Sequence, residues 1–207
     1  MRVLLAILIL TVAWPSDSHG QWRKGFDPSS LWKEGGYVLM LRHEEAPGFG
    51  DPDNFKIDDC ATQRNLSDRG RGNARFTGQV LRGTGLTADN TVVLTSQWCR
   101  CRETAVLLGL GQPKDFDGLN SFFEMSETRE PNLGKIRALF SRLPTDGPLV
   151  IMVTHQVTIS AITGDGLASG EGRILKLNGT GRPQQVSEFR VRRPDDVGTC
   201  AASRPRQ

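Results

Sequence analysis

The chain has 207 residues, 37% hydrophobic and 24% charged, with a net charge of +3. That is the composition of a globular domain able to bury a core of its own, not of a disordered tail, a collagen or a disulfide knot. The surplus of 26 Lys plus Arg over 23 Asp plus Glu is too small to mark a nucleic-acid-binding face, and no apolar run reaches the ~18–20 residues that span a bilayer.

Arg2 opens the chain, an apolar stretch follows from Val3 to Trp14, and Pro15 leads to the small residues Ser18 and Gly20. Residues 1–20 therefore read as a secretory signal peptide cut after Gly20, with an uncleaved anchor as the alternative. Residues 21–207 read as a single domain, periplasmic or secreted, with no stable membrane insertion after cleavage. Export places the four cysteines, Cys60, Cys99, Cys101 and Cys200, in an oxidising compartment and makes them disulfide candidates. Cys99 and Cys101 lie too close to bridge each other comfortably. Cys60 is expected to pair with one of them, leaving the other for Cys200, though spacing alone fixes no connectivity. Cys99-x-Cys101 lacks the paired spacing of a zinc site, and the sequence marks no metal ligands.

Tyr37 to Leu41, Thr91 to Thr95 and Pro148 to Val153 are short continuous apolar runs, the pattern of buried parallel strands. Helical patterns lie between them. Ser67 caps one from Asp68 to about Arg82. Others run from Arg102 to Leu108, from Pro131 to Leu143 with the proline near its first turn, and from Gln156 to Ile162 before Gly164. Gly172 to Leu177 and Gln185 to Val191 read as late strands. The alternation predicts a three-layer α/β/α sandwich with a mostly parallel central sheet. Glu44 to Asn65 is a long irregular stretch rich in Pro, Gly and Asp, and a loop of that length in a compact domain is usually functional. The tail from about residue 193 is expected to be loose.

Two of the predicted strands end in histidine, Arg42-His43 and Thr154-His155. With His19 in the leader, these are the remaining histidines. In an open α/β sheet, ligands bind at the carboxyl ends of the strands. The middle strand ends at the same edge in Ser96-Gln-Trp-Cys-Arg100-Cys-Arg102-Glu-Thr104. Two imidazoles and several guanidiniums at one edge suit a phosphate-like anion, because the arginine fork matches phosphate oxygens. A histidine at one strand end is more often a core residue; two, on separate strands, are the signal. Arg102 should point elsewhere on its helix. Trp98 reads first as packing. Asp51-Pro-Asp-Asn54 and Asp58-Asp59 lack the glycine and distal glutamate of a calcium loop and read as solvated. Arg190, Arg192 and Arg193 read as a solvated strand end, with an anionic surface as the alternative.

These residues resemble the motifs of the histidine phosphatase superfamily, the phosphoglycerate-mutase-like clan. Leu41-Arg42-His43 resembles its first motif and Leu66-Ser-Asp-Arg-Gly70 the turn into its first helix. Arg100 ahead of Glu103-Thr104-Ala105 resembles its second-arginine motif, and Val153-Thr-His155 its second-histidine motif. Export and Cys60-Ala-Thr-Gln-Arg-Asn65 make the chain most similar to periplasmic bacterial members, such as those acting on lipopolysaccharide core heptose phosphate. The resemblance implies that His43 is a nucleophile forming a phosphohistidine, that Arg42 and Arg100 bind the phosphoryl oxygens, and that His155 donates to them. It implies no metal and no organic cofactor. Two positions depart from the family. Glu44 replaces the common glycine after Arg-His, and Leu119-Asn120-Ser121 lacks the usual acid. Glu124 is the first candidate proton donor, with Glu44, Glu127 and Glu171 behind it. Arg64, Glu44 and Asn65 are the expected substrate contacts. The partner is then a phosphorylated small molecule or envelope glycan, with no nucleic acid. The alternative is a catalytically weak phosphate- or phosphosugar-binding protein that uses the same pocket.

Overall fold

The computed structural model describes residues 28–193. The proposed leader and Cys200 lie outside them. Helix α1 spans Pro28–Glu34, strand β1 Tyr37–Arg42, helix α2 Asp68–Gly83, strand β2 Thr91–Thr95 and helix α3 Cys99–Leu108. Strand β3 is the two-residue Lys114–Asp115. Helix α4 spans Arg129–Phe140, strand β4 Leu149–Thr154, helix α5 Gln156–Thr163, and strands β5 Gly172–Lys176 and β6 Gln184–Phe189.

The six strands form one sheet in the order β3-β2-β4-β1-β5-β6. The first four are parallel, and β5 and β6 join antiparallel at one edge. Successive side chains of a strand point to opposite faces, and β1 sorts accordingly. Leu39 and Leu41 pack with Val80 and Leu81 of α2 and with Ala105 and Leu108 of α3. Val38 and Met40 pack on the other face with Leu133, Ile136 and Phe140 of α4 and Ile159 of α5. Two apolar faces on one sheet make the three-layer sandwich that the continuous apolar runs predict.

Two helices start earlier than the sequence expectation. Helix α3 begins at Cys99, not Arg102. Trp98 gives it no side-chain cap, and the first N–H is taken instead by Gln63 Oε1, 2.9 Å away on the long loop. Helix α4 begins two residues before Pro131, where a 3₁₀ turn over Ser126–Thr128 already winds the chain, and ends at Phe140. Proline is tolerated there because first-turn N–H groups have no helical partner. Helix α1 and strand β3 carry no sequence signal strong enough to be read. Helices α2 and α3 touch backbone to backbone at Gly78, where a Cβ would lie 2.1 Å from Leu108 O.

Register places the site. Arg42 pairs with Thr154 across β1 and β4. The His43 N–H donates to Thr154 O at 2.9 Å, and the Ser96 N–H to Val153 O at 2.9 Å. Three adjacent strands thus end level, presenting His43, His155 and Ser96 side by side.

Candidate active site

At that edge lies a cavity of about 410 Å³. Arg42, His43, Arg100 and His155 all line it, as do Arg64 and Glu124. The strand ends supply Arg42, His43 and His155, and the first turn of α3 supplies Arg100.

His43 is almost fully buried. Its Nδ1–H donates to Glu44 O at 2.7 Å, which leaves Nε2 with its lone pair. Burial first, then the positive charge of Arg100, pushes its pKa down to about 3. His155 is pushed well below its ordinary value by burial and by His43 and the arginines. Its Nε2 sits 2.9 Å from Ser96 Oγ and 3.5 Å from Cys101 Sγ. The two rings meet edge to face at 5.5 Å. Both imidazoles are therefore neutral near neutral pH.

This has a consequence for stability. A histidine whose pKa is lower folded than unfolded binds fewer protons in the native state. Stability is then complete above about pH 6.5 and falls as the pH drops toward 3. The slope approaches about 1.4 kcal/mol per pH unit for each such group. Urea midpoints of wild type and His43→Gln across pH 4 to 7 check it; the wild-type slope is expected to be the steeper.

The guanidiniums are each anchored by one end. Arg42 Nη1 donates to Leu167 O at 2.5 Å and to Gln156 Oε1 at 3.2 Å. Arg100 Nη1 donates to Asp51 Oδ1 at 2.7 Å and to Arg64 O at 3.2 Å, and its Nη2 to Asp51 Oδ2 at 3.2 Å. The Nε of each is buried without a hydrogen-bond partner among the described residues. A buried donor left unsatisfied costs ~1–3 kcal/mol; both arginines line the cavity, and a guanidinium fork has the geometry to grip an oxyanion.

The other expected site residues divide. Arg64 is half-buried, and its side chain clasps the long loop through Gly50 O at 2.9 Å and through Ala46 O. Glu124 is exposed at the rim, its Oε1 2.6 Å from where a Cβ on Gly50 would stand. Glu44 does not line the cavity. Its side chain is fully buried and paired with Arg193 at 2.6 Å, with Thr77 Oγ1 donating at 3.2 Å. Burial pushes its carboxyl upward against the pull of Arg193. The carboxylate that follows Arg-His thus faces the core, and the residue serves the site through its backbone carbonyl. Asn65 also lies away from the cavity, its Nδ2 donating to Cys60 O at 2.6 Å and Gln63 O at 3.1 Å. Glu127 is exposed on a 3₁₀ turn, and Glu171 pairs with Arg190. Arg102 turns away to Asp115, as its helical position predicts.

Cys60 and Cys99 form a disulfide with a Cα–Cα distance of 5.7 Å. It ties the long loop to the residue before Arg100. Cys101 is a buried thiol, its pKa pushed up to about 12 by burial.

Sequence reasoning missed four residues of the cavity region. Asp51, read as solvated, accepts from Arg100, from Trp98 Nε1 at 2.9 Å and from the Arg64 N–H at 3.0 Å. Ser96 holds His155. Phe49, 85% exposed, and Phe123, 47% exposed, meet edge to face at 5.0 Å on the cavity wall. Phe49 stands between Gly48 and Gly50, both at positive φ, a conformation open to glycine at little steric cost. The Gly-Phe-Gly triplet was the available signal. Trp98 stacks on Phe55 at 5.1 Å and lines the cavity. Among the described residues no group of three or more His, Cys, Asp or Glu is arranged to hold a metal ion, and no helix is long and apolar enough to cross a membrane.

No protein-family model matches the chain. The mitochondrial serine/threonine-protein phosphatase Pgam5 of Drosophila grimshawi is 34% identical over 76 residues, which is 37% of this chain and 23% of that protein. The chain thus spans less than a quarter of that relative's length. A protein assigned as the phosphohistidine phosphatase SixA of Nakamurella multipartitia superposes with a TM-score of 0.53 at 21% identity, covering 75% of this chain and 95% of that one. The protein histidine phosphatase SixA in complex with tungstate gives 0.51 at 15%, covering 74% and 96%. Mycobacterial hydrolase 2 gives 0.53 at 17%, covering 78% and 94%. At these identities the likeness is one of architecture: the six-stranded sheet and its two helical layers are the fold of the SixA histidine phosphatases.

Proposed function

We propose that the protein is a metal-independent phosphomonoester hydrolase working through a phosphohistidine on His43. One observation carries this reading: a neutral imidazole with Nε2 unprotonated shares a cavity with two arginines whose buried Nε–H groups lack partners. Tungstate, bound by a protein of the same fold, is an oxyanion of phosphate-like shape.

In the first step the His43 Nε2 lone pair forms a bond to phosphorus as the bond to the leaving oxygen breaks. That oxygen takes a proton, from Glu124 at the rim or from water. In the second step water attacks phosphorus, giving one proton back to Glu124 or leaving it on the phosphate when solvent served as the acid; the N–P bond breaks, the lone pair returns to Nε2, and inorganic phosphate leaves. Arg42 and Arg100 stabilise charge on the equatorial oxygens throughout. His155 joins them through Nδ1–H in the tautomer whose Nε2 is unprotonated, with Ser96 Oγ 2.9 Å and Cys101 Sγ 3.5 Å from that nitrogen.

The substrate reading is a phosphorylated envelope sugar or glycan, as in the lipopolysaccharide heptose phosphatases. Phe49 and Phe123 line the cavity and offer apolar ring surface against which a leaving group could pack. The Cys60–Cys99 disulfide suits a periplasmic or secreted protein with residues 1–20 as its leader. A second reading, phosphosugar binding with little turnover, draws on Asn120. It follows Leu119 in the stretch that lacks the family's acid, with Ser121 at the acid's position on the cavity wall, and is tied by its amide to Gln97.

The test is hydrolysis of p-nitrophenyl phosphate by the purified chain with and without EDTA, then of a heptose or hexose phosphate against glycerol 2-phosphate. Turnover undiminished by EDTA is expected, with the sugar ester the better substrate. Turnover lost to EDTA and restored by a divalent ion would overturn the metal-free mechanism. No turnover, with phosphate still raising the melting temperature, would establish the binding reading.

A further inference from the structure

We propose that Asp51 is a positioning residue that aims the Nε edge of Arg100 at the phosphoryl group. The inference rests on the reading of Arg100 as a phosphoryl-binding group and extends it to a residue of the long loop.

A guanidinium has five N–H donors and two edges able to grip an oxyanion in bidentate fashion. In Arg100 one edge is spent. Nη1 gives one proton to Asp51 Oδ1 and the other to Arg64 O, and Nη2 gives one to Asp51 Oδ2. What remains is Nε–H and the second Nη2–H, which lie in the guanidinium plane along one edge and point the same way. Nε is buried and without a partner. Asp51 thus consumes the end of the fork and leaves the side.

The carboxylate is itself held. Trp98 Nε1 donates to Oδ2 at 2.9 Å and the Arg64 backbone N–H to Oδ1 at 3.0 Å. Four donors on two oxygens leave the carboxylate little freedom to rotate. Hydrogen bonds from Arg100, Arg64 and Trp98 hold its carboxyl below the usual range despite burial, so it stays charged. The two side chains are only 4% and 10% exposed, so water screens the pair weakly. Arg42 is anchored by a backbone carbonyl and an amide oxygen instead. Asp51 therefore serves one arginine of the two, and the loop that carries it is stapled to α3 one residue before Arg100.

The opposite role is a carboxylate that occupies the phosphoryl subsite and must be displaced by substrate. The two roles differ in sign. A positioning Asp51 raises anion affinity and turnover; an occupying one lowers both.

The test is a double-mutant cycle of Asp51→Asn, Arg100→Ala and the pair, reading kcat and KM on p-nitrophenyl phosphate and the inhibition constant of inorganic phosphate. Asp51→Asn is expected to lower kcat/KM ~10²-fold, the cost of a misplacement of about 1 Å, and to weaken phosphate inhibition. In the Arg100→Ala background the same change is expected to cost less than ~2-fold, because Asp51 acts through Arg100. A purely structural role would instead lower activity in both backgrounds and lower the melting temperature in step. Equal losses in the two backgrounds, no loss in either, or tighter phosphate inhibition in Asp51→Asn would each overturn the proposal. Should Asp51→Asn fail to fold, Asp51→Glu keeps the charge and displaces the carboxylate, and its loss must likewise vanish beside Arg100→Ala. An Arg100→Ala enzyme as active as wild type would refute the underlying reading of Arg100 and not only the role of Asp51.

Discussion

His43→Ala is expected to lower turnover on p-nitrophenyl phosphate by on the order of 10⁴–10⁶-fold, the usual cost of deleting a covalent nucleophile. The cavity holds no substitute. His155 has its Nε2 against Ser96 and Cys101. Cys101 is buried, with its thiol pKa pushed up to about 12, so it carries almost no thiolate. On the proposed mechanism His43 needs a free Nε2 lone pair, and its surroundings supply one: Nδ1–H is committed to Glu44 O at 2.7 Å, and burial keeps the ring unprotonated. Its low pKa also means that activity should not fall at pH 6.5 through protonation of the nucleophile. A rapid acid-free quench of wild type should trap a phosphoryl group on His43 that is lost on mild acidification. In His43→Ala, phosphate should still raise the melting temperature, because Arg42 and Arg100 remain. Near-normal activity in that variant would overturn the phosphohistidine mechanism.

Arg100→Ala is expected to lower kcat ~10²–10³-fold, the range for losing one preorganised donor to developing oxyanion charge. It should also destabilise the fold, because the Asp51 carboxylate, paired at 2.7 Å and largely buried, loses its counter-charge. Breaking a buried pair from one side costs about 3–5 kcal/mol. Removing the stranded carboxylate as well, in Asp51→Asn with Arg100→Ala, should return part of that stability without returning activity. Urea midpoints beside kcat separate the two effects. Full activity in Arg100→Ala would remove it from the phosphoryl site. Arg102→Ala is the contrast, since that side chain pairs with Asp115 at 2.6 Å and its loss should leave kcat within ~2-fold.

The chain's own order of residues determined the strands, the layers and most of the candidate site. Continuous apolar runs leave a buried strand as the economical solution. Arg42-His43 and Thr154-His155 follow two such runs directly, so the strand ends carry them to one edge with no long-range information. Arg100 was legible for the same reason, a few residues past the end of β2. The rest depended on tertiary structure, because it lies on segments without periodicity. Glu44 adjoins His43 in sequence, yet its side chain turns inward to Arg193, a pairing across 149 positions. Asp51 reads as one more loop carboxylate until Arg100, Trp98 and the Arg64 N–H converge on it. Helix α3 starts at Cys99 because Gln63 from the loop caps it. Periodicity reports what a residue does to its near neighbours along the chain. Which distant donor meets which acceptor is decided only when the sheet and its loops close, since an isolated segment cannot satisfy a buried charge or N–H by itself.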